Sequence, residues 1–230
     1  MKMIFNFILV IVDFFYKKDL NRFLKKNISN DIKTLVDVGS HKGETILYFL
    51  KNFNVSTIYS FEASKNNYID LKKNSLRLKK KYKHTIIEIF NLGVGNSNEQ
   101  KIFHDLSDSN SSTFREINQN SSYFKRKNKI LSFFFKKNFF INDVLVKQIK
   151  LISFLKKKKI EHIDILKIDT EGYELEVLKG LGDKIQIIDT IYFEHHYDNM
   201  IEKNYKFSDI NELLKNNSFY QVFNVRSNFS

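Results

Sequence analysis

A chain of 230 residues is long enough for one large domain or two small ones, and it can bury a substantial hydrophobic core. With 42% hydrophobic and 28% charged residues, the composition is that of a globular protein and excludes a wholly disordered chain. There are no cysteines, which excludes disulfides, thiolate metal sites and cysteine nucleophiles.

The net charge of +12 allows two interpretations. A basic surface could bind a nucleic acid or an anionic membrane. Alternatively, the many Lys, Asn, Ile and Phe residues, together with the lack of Pro and Trp, are typical of an AT-rich genome. The lysines occur in short scattered runs, such as Lys79 to Lys81 and Lys156 to Lys159. This scatter favours codon bias, and we expect no specific nucleic-acid partner.

The chain begins with an apolar run, Met3 to Tyr16, that Asn6 and Asp13 interrupt. The run is too short to span a membrane and lacks the small-residue cleavage site of a signal peptide, so we expect a cytoplasmic protein. We predict an amphipathic helix docked on the domain, with weak contact to a membrane surface as the alternative. Residues 1–30 are therefore assigned to a helical N-terminal segment and residues 31–230 to one domain.

Beyond residue 30, strand-like and helix-like patterns alternate. In chain order, the predicted elements are strand Thr34 to Val38, helix Glu44 to Lys51, strand Val55 to Phe61, helix Asn66 to Leu78 and strand Thr85 to Phe90. After an irregular stretch with short strands at Gln100 to His104 and Phe139 to Val146, they continue with helix Leu151 to Lys159, strand His162 to Ile168, helix Tyr173 to Lys179, strand Ile185 to Phe193, helix Ser208 to Asn216 and strand Phe219 to Val225. This order predicts an α/β fold with a doubly wound, mainly parallel, Rossmann-like sheet.

The first motif, DVGSHKG, follows the first strand and opens the first helix of this domain. Ligands bind at the carboxyl ends of the strands in such sheets. The spacing from Gly39 to Gly43 departs from the dinucleotide fingerprint, and Asp37 would repel a pyrophosphate but suit a cationic amino-acid moiety. The loop therefore indicates S-adenosylmethionine rather than NAD. We assign Asp37, Gly39, Ser40 and Gly43 to cofactor binding, and add Gly93 from the turn after the third strand.

Glu62 ends the second strand, 23 residues after Gly39. Nucleotide-binding α/β units place an acid at this distance to bind the ribose hydroxyls. A carboxylate can accept hydrogen bonds from two vicinal hydroxyls. We therefore predict that Glu62 contacts the cofactor ribose.

A second dense motif, LKIDTEGYE, delivers Asp169 and Glu171 to the carboxyl end of an apolar strand. Two carboxylates there could serve as acid or base, could bind a metal ion, or could orient a lysine. The structural alternative is that Glu171 favours a helix N-terminus and Asp169 accepts from loop amides. We assign both to catalysis.

A third group, Glu194-His195-His196, ends the next strand. A histidine at that position could act as a general base toward a hydroxyl, and we assign this role to His195. Only two histidines are adjacent and no third ligand stands at a suitable spacing, so no metal site is predicted.

Together, DVGSHKG, the FEAS after strand two, the NLGVGN turn, the SST loop and LKIDTEGYELEVLKG resemble the FkbM family of methyltransferases. The resemblance covers about Leu35 to Val225, nearly the whole chain. It implies a class I methyltransferase fold, S-adenosyl-L-methionine as cofactor, and methyl transfer to a hydroxyl, often on a sugar or natural product. The predicted acceptor is accordingly a glycan or a related small molecule.

A nucleic-acid methyltransferase or RNA-binding protein is the alternative, supported by the charge and by interleaved Lys and Phe residues. Enzymes of this fold that methylate base amino groups typically carry a motif that resembles D/N-P-P-Y/F. A chain without proline cannot carry such a motif.

Overall fold

The computed structural model describes residues 19–106, 111–135, 141–195 and 199–224, with only the backbone of 130–135. Its strands are β1 (Asp31–Val38), β2 (Asn54–Phe61), β3 (Ile86–Phe90), β4 (Gly93–Gly95), β5 (Glu99–Leu106), β6 (Ile141–Lys150), β7 (Ile163–Ile168) and β8 (Ile188–Phe193). Its helices are α1 (19–27), α2 (Glu44–Asn52), α3 (Lys65–Lys81), α4 (Ser122–Phe135), α5 (Leu151–Lys158), α6 (Glu174–Lys179) and α7 (Phe207–Asn216).

The main sheet has five strands in the order β3-β2-β1-β7-β8, and all of its neighbouring pairs are parallel. The chain winds outward from β1 to β3 and then returns to the other side of β1 at β7. The strand order therefore reverses between β1 and β7, which is where doubly wound sheets bind their ligands. The predicted α/β fold is confirmed.

Helices cover both faces of this sheet because its strands carry apolar side chains on both sides. Leu35 of β1 packs into a buried cluster with side chains from α1, α2 and α3. The next residue, Val36, points to the opposite face and joins a cluster with side chains from α5, α6 and α7. Successive strand residues thus hold the two helical layers on one sheet.

The irregular middle of the sequence forms a second, three-stranded sheet in the order β4-β6-β5. β5 and β6 pair in antiparallel fashion, with Phe103 opposite Val144, and β4 joins β6 in parallel. The Lys/Phe-rich stretch between β5 and β6 contains α4. This small sheet lies in the chain between β3 and β7 and carries the SST loop.

Three local predictions differ from the structure. Residues 185–187 belong to a 3₁₀ helix (Gly182–Ile187), so β8 begins only at Ile188. Helix α7 begins at Phe207, one residue before the predicted start at Ser208, and the Lys206 amide donates to Asp209 Oδ2 at 2.8 Å in its first turn. Residues 219–224 form no strand, and Val225 lies outside the described residues.

The predicted N-terminal helix from Met3 to Tyr16 also lies outside the described residues. The described α1 that follows it is docked on the domain, since Leu24 is buried in the cluster shared with α2 and α3. Among the helices of the described ranges, none is long and apolar enough to cross a membrane.

Candidate active site

The carboxyl ends of β1, β2 and β7 meet at one edge of the sheet, and backbone hydrogen bonds fix them to one another. The amides of Gly39 and Ser40, after β1, both donate to the Phe61 carbonyl at 3.0 Å. The amide of Asp169, after β7, donates to the Val38 carbonyl at 2.9 Å. The loop that contains the first motif is therefore held between the ends of β2 and β7.

Gly39 permits the closest approach in this region. Its φ of +77° is in the left-handed range, and a Cβ built on it would lie 1.7 Å from the Asp169 carbonyl oxygen. No side chain fits at that distance. The glycine therefore brings the two motif loops into direct contact.

Glu62 is buried at the end of β2. Its Oε2 accepts a hydrogen bond from the His41 amide at 2.7 Å, and its Oε1 accepts one from the Ser64 amide at 2.8 Å. Burial raises the pKa of Glu62 to about 7, although the two amides oppose that rise. Each oxygen keeps a lone pair, so the carboxylate retains the capacity to accept two more hydrogen bonds.

A buried lysine connects the two motifs. Lys167 of β7 donates to the Gly39 carbonyl at 2.7 Å, and its Nζ lies 3.2 Å from Asp37 Oδ1 and 3.4 Å from Asp169 Oδ2. Burial disfavours the charged lysine, but the two carboxylates outweigh it and raise its pKa. With both carboxylates ionised, the cluster carries a net charge of −1.

Asp37 is fully buried, and its carboxylate forms an ion pair with Lys167. Burial raises the pKa of Asp37 and Lys167 opposes that rise. Among the described residues, Asp37 Oδ2 has no hydrogen-bond partner. Asp169, by contrast, has a side chain that is 33% exposed, so it presents the charge of this cluster to the sheet edge.

The remaining cofactor candidates differ in position. The Ser40 hydroxyl is turned inward, where it donates to the Asp37 carbonyl and accepts from Ser60. Gly43 is the N-cap of α2 with φ +94°, beside the Leu71 side chain. Gly93 lies in β4, where a Cβ would meet the Phe114 ring at 2.3 Å. Ser40 therefore stabilises the loop through hydrogen bonds, and Gly93 allows the Phe114 ring to pack closely beside it.

Glu171 lies in the turn after β7, with a left-handed φ of +51°. The SST loop (Ser111 to Thr113) and the nearby Arg115 hold this turn: the Thr113 hydroxyl donates to the Glu171 carbonyl at 2.7 Å, and Arg115 Nε donates to the Gly172 carbonyl at 3.2 Å. Arg115 also pairs with Glu176 of α6 at 3.2 Å. The second motif and the SST loop are distant in sequence, but these contacts hold them together as one side of the candidate active site.

His195 follows β8, and the Glu194 amide donates to the Ile168 carbonyl at 3.2 Å. The half-buried imidazole of His195 packs near two aromatic rings, with centroid distances of 5.9 Å to Tyr205 and 5.5 Å to Phe207. The strand β8 places His195 at the same sheet edge as Asp169. Its neighbour His196 lies outside the described residues.

Lys167 and Arg115 are not among the site residues predicted from the sequence. Lys167 had a signal, since it is the single basic residue in the otherwise apolar run before Asp169. A charged residue in a buried strand requires a partner of opposite charge. Arg115 had no such signal because its partners come from a different part of the chain.

Within the described ranges, one group of side chains could hold a metal ion: His162, Asp164 and Asp189. These residues lie at the amino ends of β7 and β8, the opposite edge of the sheet. Asp164 Oδ2 already accepts the Thr34 amide at 2.7 Å, and His162 Nε2 lies 3.1 Å from Asp189 Oδ1. This group takes no part in the candidate active site.

Comparison with known proteins identifies the family. The family model of the methyltransferase FkbM domain matches residues 37–220. The solved structures to which the chain is similar include methyltransferase FkbM from Methylobacillus flagellatus KT, with 17% identity, a TM-score of 0.44, and coverage of 70% of this chain and 31% of that chain. Another is M. capricolum TrmK in complex with its cofactor product S-adenosyl-homocysteine, with 14% identity, a TM-score of 0.39, and coverage of 75% and 49%.

This chain thus spans 31% of the first of those chains and 49% of the second. Among curated protein sequences, none matches this chain.

A doubly wound parallel sheet with a glycine loop and a buried acid at its switch point defines a Rossmann-like domain. Because the family model matches residues 37–220, the chain belongs to the methyltransferase FkbM domain family.

Proposed function

We propose that this protein is an S-adenosylmethionine-dependent O-methyltransferase whose acceptor is a hydroxyl on a glycan, a sugar or a related small molecule. The observation that carries the proposal is the position of Glu62, a buried carboxylate at the end of β2 that contacts the loop from Gly39 to Gly43. We also propose a cytoplasmic location, in keeping with a chain that has no cysteine.

The residues fit this donor. Glu62 has lone pairs for two ribose hydroxyls, and Gly39 lets its loop contact the Asp169 backbone, so that the two motifs meet at this edge. With Asp37 and Asp169 both ionised beside Lys167, the cluster's net charge of −1 suits a cationic group at this edge. A bound donor would supply an electrophilic methyl group on a positively charged sulfur.

The chain must then hold and deprotonate the acceptor. With the donor bound, the acceptor oxygen would bond to the methyl carbon while the carbon–sulfur bond broke and left its electron pair on sulfur, so the chain would have to supply a base for the hydroxyl proton. Asp169 is the first candidate because its carboxylate is partly exposed at the sheet edge. Glu171 and His195 are the other candidates, since both follow strands that end there.

The SST loop supports a polar acceptor. Ser112 donates to Asp105 at 3.1 Å, and Asn66 donates to the other oxygen of Asp105 at 3.4 Å. Thr113 links this polar group to the turn that contains Glu171. Hydroxyl, amide and carboxylate groups on one wall match a polyhydroxylated molecule better than a flat apolar one.

The test is methyl transfer from labelled donor by the purified protein to a panel of nucleotide-sugars, glycans, lipids, peptides and RNA. We expect label in a glycan or sugar arm, and Asp169→Asn should lower turnover by about 10²-fold or more if Asp169 takes the proton. Donor-product binding by that variant, measured by calorimetry, shows that it is folded. Label in RNA or peptide alone would overturn the proposed acceptor class. Failure to bind S-adenosylhomocysteine would overturn the proposed methyl donor.

A further inference from the structure

Helix α3 carries an unusually basic outer surface. Over its 17 residues it has seven basic side chains and one acid, Asp70, which gives a net charge of +6. Asp70 Oδ2 itself lies 3.9 Å from the Nζ of Lys42, in the loop between β1 and α2. In the part of the chain that the structure describes, no carboxylate forms an ion pair with the α3 lysines.

The helix has two distinct faces. Its inner face buries Leu71, with Leu78 packed against the same core cluster. The opposite face exposes two large aliphatic side chains, Ile69 at 56% and Leu76 at 54%. These lie seven residues apart, close to two turns at about 3.6 residues per turn, so they project side by side.

Four lysines frame this aliphatic pair: Lys65, Lys72, Lys73 and Lys80. Each stands within about one helical turn of Ile69 or Leu76 on the same side. The outer face of α3 therefore has an apolar centre and a basic border. We refer to these six residues as the α3 face.

We propose that the α3 face binds an anionic lipid surface. Interfacial helices combine apolar side chains that enter the headgroup region with lysines that meet the negative lipid charge. The centre of the α3 face supplies the first component and its border supplies the second. The helix is anchored on the domain through Leu71, so the whole domain would rest on the membrane by this side.

RNA fits the same face less well. Binding to single-stranded RNA uses aromatic side chains on which bases stack. The aromatic residue of α3, Tyr68, is half-buried against the core. Aliphatic residues at the centre of a phosphate-binding surface would have no contact to make.

The experiment uses the full chain and flotation with phosphatidylcholine vesicles, with and without phosphatidylglycerol. Wild type should bind only the anionic vesicles. The variants Ile69→Ser/Leu76→Ser and Lys72→Glu/Lys73→Glu should each lose about tenfold or more of that binding. Thermal unfolding and binding of S-adenosylhomocysteine should stay as in wild type, because the α3 face points away from the core.

Two matched controls separate the α3 face from bulk composition. Lys156→Glu/Lys157→Glu makes the same charge change on the exposed side of α5. Ile102→Ser/Leu145→Ser removes another exposed aliphatic pair, at 52% and 68%, from the small sheet. Both should bind vesicles as wild type does.

An equal loss in the α5 charge control would mean that binding follows total charge, which overturns the proposal. Undiminished binding by the α3 variants would place membrane contact in another segment and overturn it as well. Unchanged vesicle binding with a selective loss of RNA affinity in the α3 variants would instead assign this face to RNA.

Discussion

A single atom of Lys167, its Nζ, contacts residues of both sequence motifs of the site. Its Nζ contacts the Gly39 carbonyl and the carboxylates of Asp37 and Asp169 within 3.4 Å. Asp37 is fully buried, so its charge has little solvent to stabilise it and depends on the lysine. The residue therefore has a positioning role, because it holds the loop after β1 and orients the exposed acid after β7.

Replacing Lys167 with Met tests this dependence. The change leaves Asp37 without its cation, so the free energy of unfolding should fall by about 3–5 kcal/mol in chemical denaturation. The double variant Asp37→Asn/Lys167→Met removes both charges and should recover part of that loss. A loss below about 1 kcal/mol in the single variant would contradict the dependence of Asp37 on the lysine.

Glu62 makes donor binding depend on pH. Burial raises its pKa to about 7 in the free protein, and ribose hydroxyls bind best to the ionised carboxylate. Binding therefore favours loss of a proton, so the Kd for S-adenosylhomocysteine should fall as pH rises toward 7 and level off above it. Below the pKa the change should be up to about tenfold per pH unit.

Calorimetry across pH 5.5–8, as an approximate range on either side of that pKa, measures this dependence. Glu62→Gln keeps the size of the side chain but cannot ionise, so its affinity should be weaker and should lose the slope. The same slope in Glu62→Gln would assign the titration to another group.

At the scale of elements, the β1–α2 loop and the β7–α6 turn are built as one unit. Each is short, and Gly39 brings their backbones together. On its other side, the turn accepts hydrogen bonds from Thr113 of the SST loop and from Arg115, two residues further on. The candidate base Asp169 therefore sits between two elements that are both held by hydrogen bonds.

Gly39→Ala should disrupt this unit. Its Cβ would overlap the Asp169 carbonyl, so the free energy of unfolding should fall by more than about 2 kcal/mol, and S-adenosylhomocysteine binding should be lost. Gly182→Ala is the matched control, with a φ of +53° and a nearest Cβ contact of 3.2 Å, remote from the site. It should cost only about 1 kcal/mol and bind normally. Equal effects in the two variants would show that Gly39 is needed only for its left-handed φ and not for the close approach to Asp169.

At the scale of the whole molecule, the sequence predicts the features that depend on local pattern. The apolar strands, the helices between them and the positions of Gly39 and Glu62 at strand ends all follow from periodicity and spacing. The contacts of Arg115 could not be predicted, because they depend on how distant segments fold together. The strand predicted at Phe219 to Val225 illustrates the opposite error, since an apolar alternating run of that length does not guarantee a strand partner.

The net charge of +12 gives the last prediction, which concerns RNA. If the scattered lysines reflect codon bias, their attraction to phosphate is unspecific and consists mainly of counterion release. RNA affinity should then fall by about 10³-fold or more between roughly 50 mM and 200 mM salt, with little difference between sequences. Fluorescence anisotropy with several RNAs measures both the slope and the specificity. Submicromolar affinity for one RNA at physiological salt would show a built RNA site, and the basic surface would then be functional in RNA recognition.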